Sequence, residues 1–561
     1  MRIRDTGDLW WKDAVFYCVD VDMYMDWDGD GVGDLEGLIQ RIDHLSDLGV
    51  TCLWLMPFYP AGGVDDGYDI TDFYGVDPRS GNAGDLVALI RTARDRGIRV
   101  IVDLVVNHTS DKHPWFRSAR SSPSSPYRDF YVWSEKEPPQ DKSQVVFPDK
   151  EDGIWSFDDK AQLWYRHHFY RQQPDLNTAN PRVRDELAKV IGFWSAVGVN
   201  GFRVDAVPFF LADAANWPGD DVEHRHDFLV ELRSFLTRRI GDGILLGEVN
   251  LPYDQQVEFF GGPPERDGDE LNVQFDFNLM QATYLAFARQ DAQPLAATLE
   301  RRPRIPRDAQ WATFLRNHDE LTLDKLSDDE RAEVFAAFGP DPDMQLYGRG
   351  LRRRLPPMLD GDPRRLRMAY SLLFAMPGAP VLFYGEEIGM GENLAVPGRM
   401  AVRTPMQWAA RRNGGFSDAP RSRLVAPLTE DGYGPEHVNV DAQRDDPGSL
   451  LRFIQLLIRR FRECPELAWD TRVEVLDQPV SSVLALRSRW DDGEIVTVHN
   501  LAPDAQSVPL QLEDADADVR LVDLLGPGEC APDGRGRVTV DLDGYGYRWL
   551  RVVRPGHRRL R

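Results

Sequence analysis

Gly201-Phe202-Arg203-Val204-Asp205-Ala206 is a short apolar run that stops on a carboxylate, with an arginine two residues earlier. Side chains two apart on a strand point to the same face, so Arg203 and Asp205 share one side of this strand. Seven further runs have the same strand character: Val15–Val19, Thr51–Leu55, Val100–Leu104, Ile244–Leu246, Asn272–Phe275, Thr313–Leu315 and Val381–Phe383. Longer stretches with helical spacing separate them, which is the sign of repeated βα units around a parallel sheet. Eight such runs predict an α/β fold, a closed (β/α)8 TIM barrel. The competitor is an open doubly wound sheet, which usually carries a Gly-rich phosphate turn after its first strand; none follows Val19.

The chain is expected to divide into a barrel over 1–103 and 181–467, an inserted lid domain over 104–180 after strand three, and a C-terminal antiparallel β-sandwich over 468–561. The segment from Val105 to Asn180 is too long for a simple βα loop and is rich in Pro, Ser and aromatic residues, as in His113-Pro114-Trp115-Phe116 and Tyr131-Val132-Trp133. Long structured insertions at the catalytic end of a barrel are usually functional. Leu450, Ile454, Leu457, Ile458 and Phe461 have helical spacing and predict the last barrel helix over Leu450–Phe461. After Trp469 the period changes to two, through Val473 and Val475, Val483 and Ala485, Ile495 and Thr497, then Val508, Leu510 and Leu512.

A formal net charge of −25 over 561 residues disfavours nucleic acid and anionic membrane surfaces as partners. It suits a neutral small-molecule substrate, and the blander reading is a charge that only solvates the surface. Homo-oligomerisation is left open. Cys18, Cys52, Cys464 and Cys530 are too scattered for a metal knuckle or a redox pair. The first 25 residues carry five aspartates and no basic-then-apolar pattern, and no apolar run is long enough to span a bilayer. A cytoplasmic location is the expectation, with no organic cofactor.

Barrel active sites lie at the C-terminal ends of the strands. There the sequence reads Asp103-Leu104-Val105-Val106-Asn107-His108, Arg203-Val204-Asp205, Leu246-Gly247-Glu248 and Arg316-Asn317-His318-Asp319. Taken singly, a carboxylate after a strand is often a helix cap, and a lone histidine is often structural. Three carboxylates, two histidines and an arginine on one rim suit glycosyl transfer. In that chemistry one carboxylate attacks the anomeric carbon and another protonates the leaving oxygen, about 5–5.5 Å away when configuration is retained. Asp205 is the expected nucleophile, held ionised by Arg203. Glu248 is the expected general acid/base, with a raised pKa. Asp319 is expected to bind sugar hydroxyls, with His108 and His318 as hydroxyl donors.

These four segments, in order and spacing, resemble the signature of the α-amylase superfamily. The resemblance covers nearly the whole chain and implies the barrel, the lid and the C-terminal β domain. Asp65-Asp66-Gly67-Tyr68-Asp69 is similar to the subsite that grips a terminal glucose, which implies hydroxyl binding by Asp65 and stacking on Tyr68. Gln173-Pro174-Asp175-Leu176-Asn177 and Arg403-Thr404-Pro405-Met406-Gln407-Trp408 are similar to segments of α-glucosidases and trehalose synthases, and place Gln173 and Arg403 among the substrate-binding residues. Asn317-His318-Asp319-Glu320-Leu321-Thr322-Leu323, followed by an insert ending Leu351-Arg352-Arg353-Arg354-Leu355, resembles the trehalose synthase branch most. That implies isomerisation of maltose and trehalose through a covalent glucosyl-enzyme. The alternatives are an α-glucosidase-type hydrolase of short α-glucosides and a non-catalytic amylase-like binding subunit. Water must be excluded for transfer to win. The lid around Trp115–Tyr131 and the Arg-rich insert are the expected seal; the insert also reads as a solvated helix pair.

Asp26-Trp27-Asp28-Gly29-Asp30-Gly31-Val32-Gly33-Asp34 spaces carboxylates as in the first half of a calcium loop. The expected ligands are Asp26, Asp28, Asp30, the Val32 carbonyl and Asp34; the other reading is an acidic turn. The resemblance also implies a second calcium on Asn107 and Asp175 with groups after Pro208. There the chain reads Phe209-Phe210-Leu211-Ala212-Asp213, so the further carboxylate would have to come from Asp213.

Overall fold

The computed structural model describes residues 9–140, 142–214, 226–469, 472–512, 518–533 and 535–554. Eight parallel strands close into a barrel. They are β1 (Phe16–Val19), β2 (Cys52–Leu55), β3 (Arg99–Leu104), β4 (Gly201–Val204), β5 (Ile244–Gly247), β6 (Val273–Phe275), β7 (Gln310–Phe314) and β8 (Ala379–Phe383). Each strand lies beside its successor in sequence, and β8 closes against β1 through Phe16↔Val381. The runs are short and apolar throughout because both faces are covered: side chains fill the interior and helices pack outside. All eight expected strands are present. β7 begins earlier than the apolar pattern suggests, since Gln310 pairs with Val273 in the ladder. Its buried amide donates to the carbonyls of Lys12 and Ala468, so burial here does not need an apolar side chain.

Between β3 and the long helix Pro181–Val197, the chain forms a short helix (Pro114–Ala119) and a three-stranded antiparallel sheet. The sheet is ordered Trp133–Ser134, Leu163–Arg166, Trp155–Asp158. Trp115, Phe116, Phe130 and Tyr131 pack on one another as the core of this lid. That corrects the expectation that Trp115–Tyr131 supply the seal: their large apolar faces are needed inside the lid. After β7, the insert holds one α-helix, Asp328–Phe338, started by a Ser327/Glu330 capping box. It adds a small sheet of Leu321–Thr322, Gly350–Leu351 and Gln345–Leu346, so it is not a helix pair.

The helix Leu450–Glu463 buries Leu451, Ile454, Leu457, Ile458 and Phe461. Beyond it, a six-stranded antiparallel sheet and a two-stranded sheet enclose Val483, Ala485, Val496, Val498, Val508, Leu510, Val538 and Val540 as a second core. The sandwich docks on the barrel through a buried node: Ser371 Oγ accepts from Trp549 Nε1 and meets His499 Nε2, each at 3.0 Å. No helix among the described residues is long and apolar enough to cross a membrane.

Candidate active site

Four strands deliver their last residues to one rim. Asp205 follows β4, and its N–H donates to the Leu104 carbonyl, which fixes where the strand ends. Ala206 then takes a left-handed φ of +51°, turning the chain sharply so that the Asp205 side chain stays on the rim. The backbone N–H of Ala206 donates to Glu248 Oε2 at 3.2 Å and ties β4 to β5. Asp65 is presented by a tight turn in which Asp66 and Gly67 both have positive φ. A Cβ at Gly67 would lie 2.6 Å from the Pro57 carbonyl oxygen, so only glycine fits.

Arg203 organises the floor. One terminal nitrogen bonds Asp205 Oδ1 and Asp103 Oδ1 at 2.5 Å each, and the other bonds Glu248 Oε2 at 2.6 Å. Asp103 is held in turn by Trp54 Nε1 at 2.7 Å. Two carboxylates gripped by one planar fork are kept close, as the short separation of retaining glycosidases, about 5–5.5 Å, requires. Burial pushes the Asp205 carboxyl up to about 6, against the opposing charge of Arg203. Burial pushes Glu248 up to about 7, opposed by Arg203 and assisted by the negative charges of Asp205 and Asp319. Glu248 is the more open of the two, with 23% of its side chain exposed against 9% for Asp205. The pair therefore suits one ionised and one protonated carboxyl near neutral pH.

Asp319 Oδ1 accepts from Arg399 at 2.7 Å and Arg403 at 2.9 Å, and Oδ2 lies 3.1 Å from His318 Nε2. Burial alone would raise this carboxyl; His318, Arg399 and Arg403 together hold it well below the usual range. Burial takes His318 itself to about 4, so the charges that persist beside Asp319 at neutral pH are the two guanidiniums. His108 is likewise lowered to about 4 by burial and is a neutral hydrogen-bonding group.

A cavity of about 740 Å³ opens over this floor. Asp65, Tyr68, His108, Asp205, Glu248 and Asp319 line it. Arg203, Gln173, His318 and Arg403 lie just beneath. Gln173 Nε2 links Asp65 Oδ2 and His108 Nε2, at 2.9 and 3.0 Å. His318 meets the Tyr68 hydroxyl at 2.9 Å and stacks on its ring, so it braces Tyr68 and Asp319 rather than facing the cavity. Arg403 reaches Asp66, Asp319 and the His318 carbonyl.

Several cavity residues were not foreseen. Arg399 bonds Asp65 as well as Asp319, four residues before Arg403 on the short helix Gly398–Val402; that spacing was the available signal. Phe147 forms the roof, stacked on Tyr170 at 4.5 Å with the Arg399 guanidinium 5.0 Å from its ring. Arg349 donates to the Val146 carbonyl at 2.8 Å and to Glu320 at 3.1 Å, joining the insert to the lid across the cavity. Arg352, Arg353 and Arg354 instead bond carbonyls and Glu392 behind it. On the side away from Asp65, Asn250 and Lys325 both bond Asp324, making a polar wall.

The acidic loop brings one oxygen each from Asp26, Asp28 and Asp34 within 4.8 Å of one another. Such a convergent oxygen set fits a hard divalent cation. Of the expected set of Asp26, Asp28, Asp30, the Val32 carbonyl and Asp34, the Asp30 carboxylate stands outside this group, its Oδ1 accepting from the Val32 N–H at 2.8 Å. The second expected calcium site does not fit. Asn107 and Asp175 are adjacent, but the Asp175 carboxylate already faces Arg166 Nε at 3.2 Å and His168 Nδ1 at 2.6 Å. The Arg166 guanidinium and a His168 ring nitrogen stand against the oxygen a metal would need. The side chain of Asp213 lies outside the described residues.

The profile of the family described as "Alpha amylase, catalytic domain" matches residues 20–336 and 353–470, and that of "Sucrose hydrolase-like, C-terminal domain" matches residues 493–551. A trehalose synthase/amylase TreS of Mycobacterium tuberculosis is 41% identical over 548 residues, covering 97% of this chain and 90% of that protein. A trehalose synthase of Pimelobacter sp. is 39% identical over 555 residues, covering 97% and 96%. Among solved structures, a trehalulose synthase variant in complex with Tris superposes with a TM-score of 0.77 at 25% identity, covering 97% of this chain and all of that one.

Proposed function

The chain belongs to the α-amylase family, and on that footing we propose that it moves a glucosyl unit within one bound disaccharide, interconverting maltose and trehalose with the α configuration retained. The observation that carries this reading is the pairing of Asp205 and Glu248 on one guanidinium beneath a roofed cavity. Relatives near 40% identity over almost the full chain bear the trehalose synthase name. A cavity of about 740 Å³ is in the range that holds a small ligand.

In the first step Asp205 attacks the anomeric carbon as the glycosidic C–O bond breaks, and Glu248 gives its proton to the departing oxygen. The products are a glucosyl ester on Asp205 and a free glucose under the roof. That glucose turns and presents its own anomeric hydroxyl. Glu248, now a base, takes the hydroxyl proton, the new oxygen attacks, and the ester bond breaks to give the α,α-1,1 linkage. Asp65 and Asp319 hold the donor glucose, and the wall of Asn250, Asp324 and Lys325 faces the turning one. Incubation with maltose, trehalose and sucrose separately tests the reading. Maltose should give trehalose and trehalose should give maltose; glucose alone from both rejects it.

The pH profile follows from the two carboxyls. Asp205 must be ionised, so kcat/KM should fall as pH drops through about 6. Glu248 must be protonated, so it should fall again above about 7. The result is a narrow bell whose limbs belong to the coupled pair, read from initial rates between pH 4.5 and 9.

Roof closure decides between transfer and hydrolysis, because water that reaches the ester competes with the retained glucose. Arg349→Ala removes the tie between Val146 and Glu320. The glucose released per trehalose formed should rise about 3–10-fold, measured by product chromatography from maltose.

Calcium in the Asp26 loop would be structural. Asp26 Oδ1 and Oδ2 accept from Gly29 and Gly31, and Asp34 caps the helix Leu35–Gln40, so a bound ion would tie loop to barrel. Chelation should lower Tm by about 2–5 °C, and Asp28→Ala should abolish that difference. Cys18, Cys52, Cys464 and Cys530 form no disulfide, which is in keeping with the reducing environment of the cytoplasm.

A further inference from the structure

Asp175 marks the place where the lid chain rejoins the barrel. It makes an isolated bridge with His108, and the next N–H, of Leu176, donates to the Asn107 carbonyl. Its carboxylate is completely buried and needs a counter-charge. In the superfamily that the sequence resembles, a divalent metal is the expected one. Here nitrogen atoms stand beside both oxygens. Oδ1 accepts from Asn107 Nδ2 at 3.1 Å and from the His168 N–H at 3.2 Å. Oδ2 faces Arg166 Nε at 3.2 Å and His168 Nδ1 at 2.6 Å.

A calcium ion takes six to eight oxygens at about 2.3–2.6 Å. Asn107 Oδ1 and Asp175 Oδ2 are buried without a hydrogen-bond partner, so two side-chain oxygens are available among the described residues. Around them the next groups are Arg166, His168 and Phe209, whose ring lies 5.4 Å from that of His168. Phe209, Phe210 and Leu211 bring no carboxylate. Among the described residues the charge that faces Asp175 is the Arg166 guanidinium, and two side-chain oxygens fall short of the set calcium takes.

We infer that the guanidinium of Arg166 does at the lid base what a divalent metal would do, pinning Asp175, and with it the lid, to the barrel. Arg166 is the last residue of the lid strand Leu163–Arg166, so the counter-charge is carried by the lid itself. Its guanidinium lies 5.8 Å from the Trp155 ring on the neighbouring strand, which limits the directions it can take. A planar arginine fork also offers its charge together with fixed hydrogen-bond geometry, which a metal supplies through coordination. The lid should therefore stay seated without divalent ions, and its attachment should be independent of the Asp26 loop.

Two measurements on the full chain test this. Calcium bound after equilibrium dialysis is counted for the unaltered protein and for Asn107→Ala. The expected result is the same count in both, because any ion present sits elsewhere; loss of one equivalent in Asn107→Ala overturns the inference. Thermal unfolding is then followed for Arg166→Ala with chelator and with millimolar calcium. In chelator its Tm should fall by about 3–8 °C relative to the unaltered protein in the same buffer. Part of that loss should return in calcium, beyond any calcium shift of the unaltered protein, since the vacated carboxylate and Asn107 Oδ1 can then accept an ion. Unchanged melting of Arg166→Ala in chelator overturns it. Should Arg166→Ala fail to fold, the calcium count decides alone.

Discussion

Asp205→Asn is expected to lower turnover of maltose by about four orders of magnitude or more while leaving the fold intact. The amide has the shape of the carboxylate but cannot form the glucosyl ester. Arg203 keeps Asp103 and Glu248 as partners, so the floor does not collapse. The variant also carries a second signature. The charge on Asp205 is one of the influences raising Glu248, so the Glu248 carboxyl should titrate below its value of about 7 once that charge is gone. Near-normal melting, lost turnover and a lowered Glu248 titration together identify the nucleophile. Loss of activity with loss of folding would identify only a structural carboxylate. Turnover of every α-glucoside surviving the change would remove Asp205 from the mechanism.

Glu248→Gln should cost about 10²–10⁴-fold with maltose, because the departing glucose then leaves without a proton. With an aryl α-glucoside carrying an acidic phenol the first step needs no proton, and the loss should shrink. The glucosyl ester should then accumulate, since no base activates the incoming hydroxyl. Azide, which needs no base, should relieve that block and yield the α-glucosyl azide. The alkaline limb of the pH profile should vanish, because glutamine does not titrate near 7. An equal loss on aryl glucosides and maltose, with no azide product, would assign the proton transfer to another group.

The catalytic floor was legible in the sequence for a simple reason. A barrel strand is a short apolar run, and the residue that follows it is placed on the rim by the fold itself. Arg203, two before Asp205, was forced onto the same side by the pleat, and the structure sets both on one ion pair. His108 and His318 were equally visible, but their uses separated: His108 lines the cavity, while His318 turned inward to brace Tyr68 and Asp319. The roof was not legible. Phe147 comes from an irregular stretch of the lid, and only the folding of that stretch back over the barrel brings it to Arg399. Arg349 was hidden among neighbouring arginines that serve other partners. Arg166 stands nine residues before Asp175, and nothing in that spacing announces that the hairpin returns one to the other. In each case the missing information was a long-range contact between segments whose local patterns are silent about each other.

In this mechanism the glucose released from maltose is recaptured before it leaves the cavity. Unlabelled maltose should be incubated with the enzyme in excess ¹³C-labelled free glucose, and the trehalose formed should be analysed by mass spectrometry at early times. Trehalose that forms without label is the predicted result. Trehalose carrying one labelled ring in proportion to the free pool, or glucose formed with no trehalose at all, would contradict it.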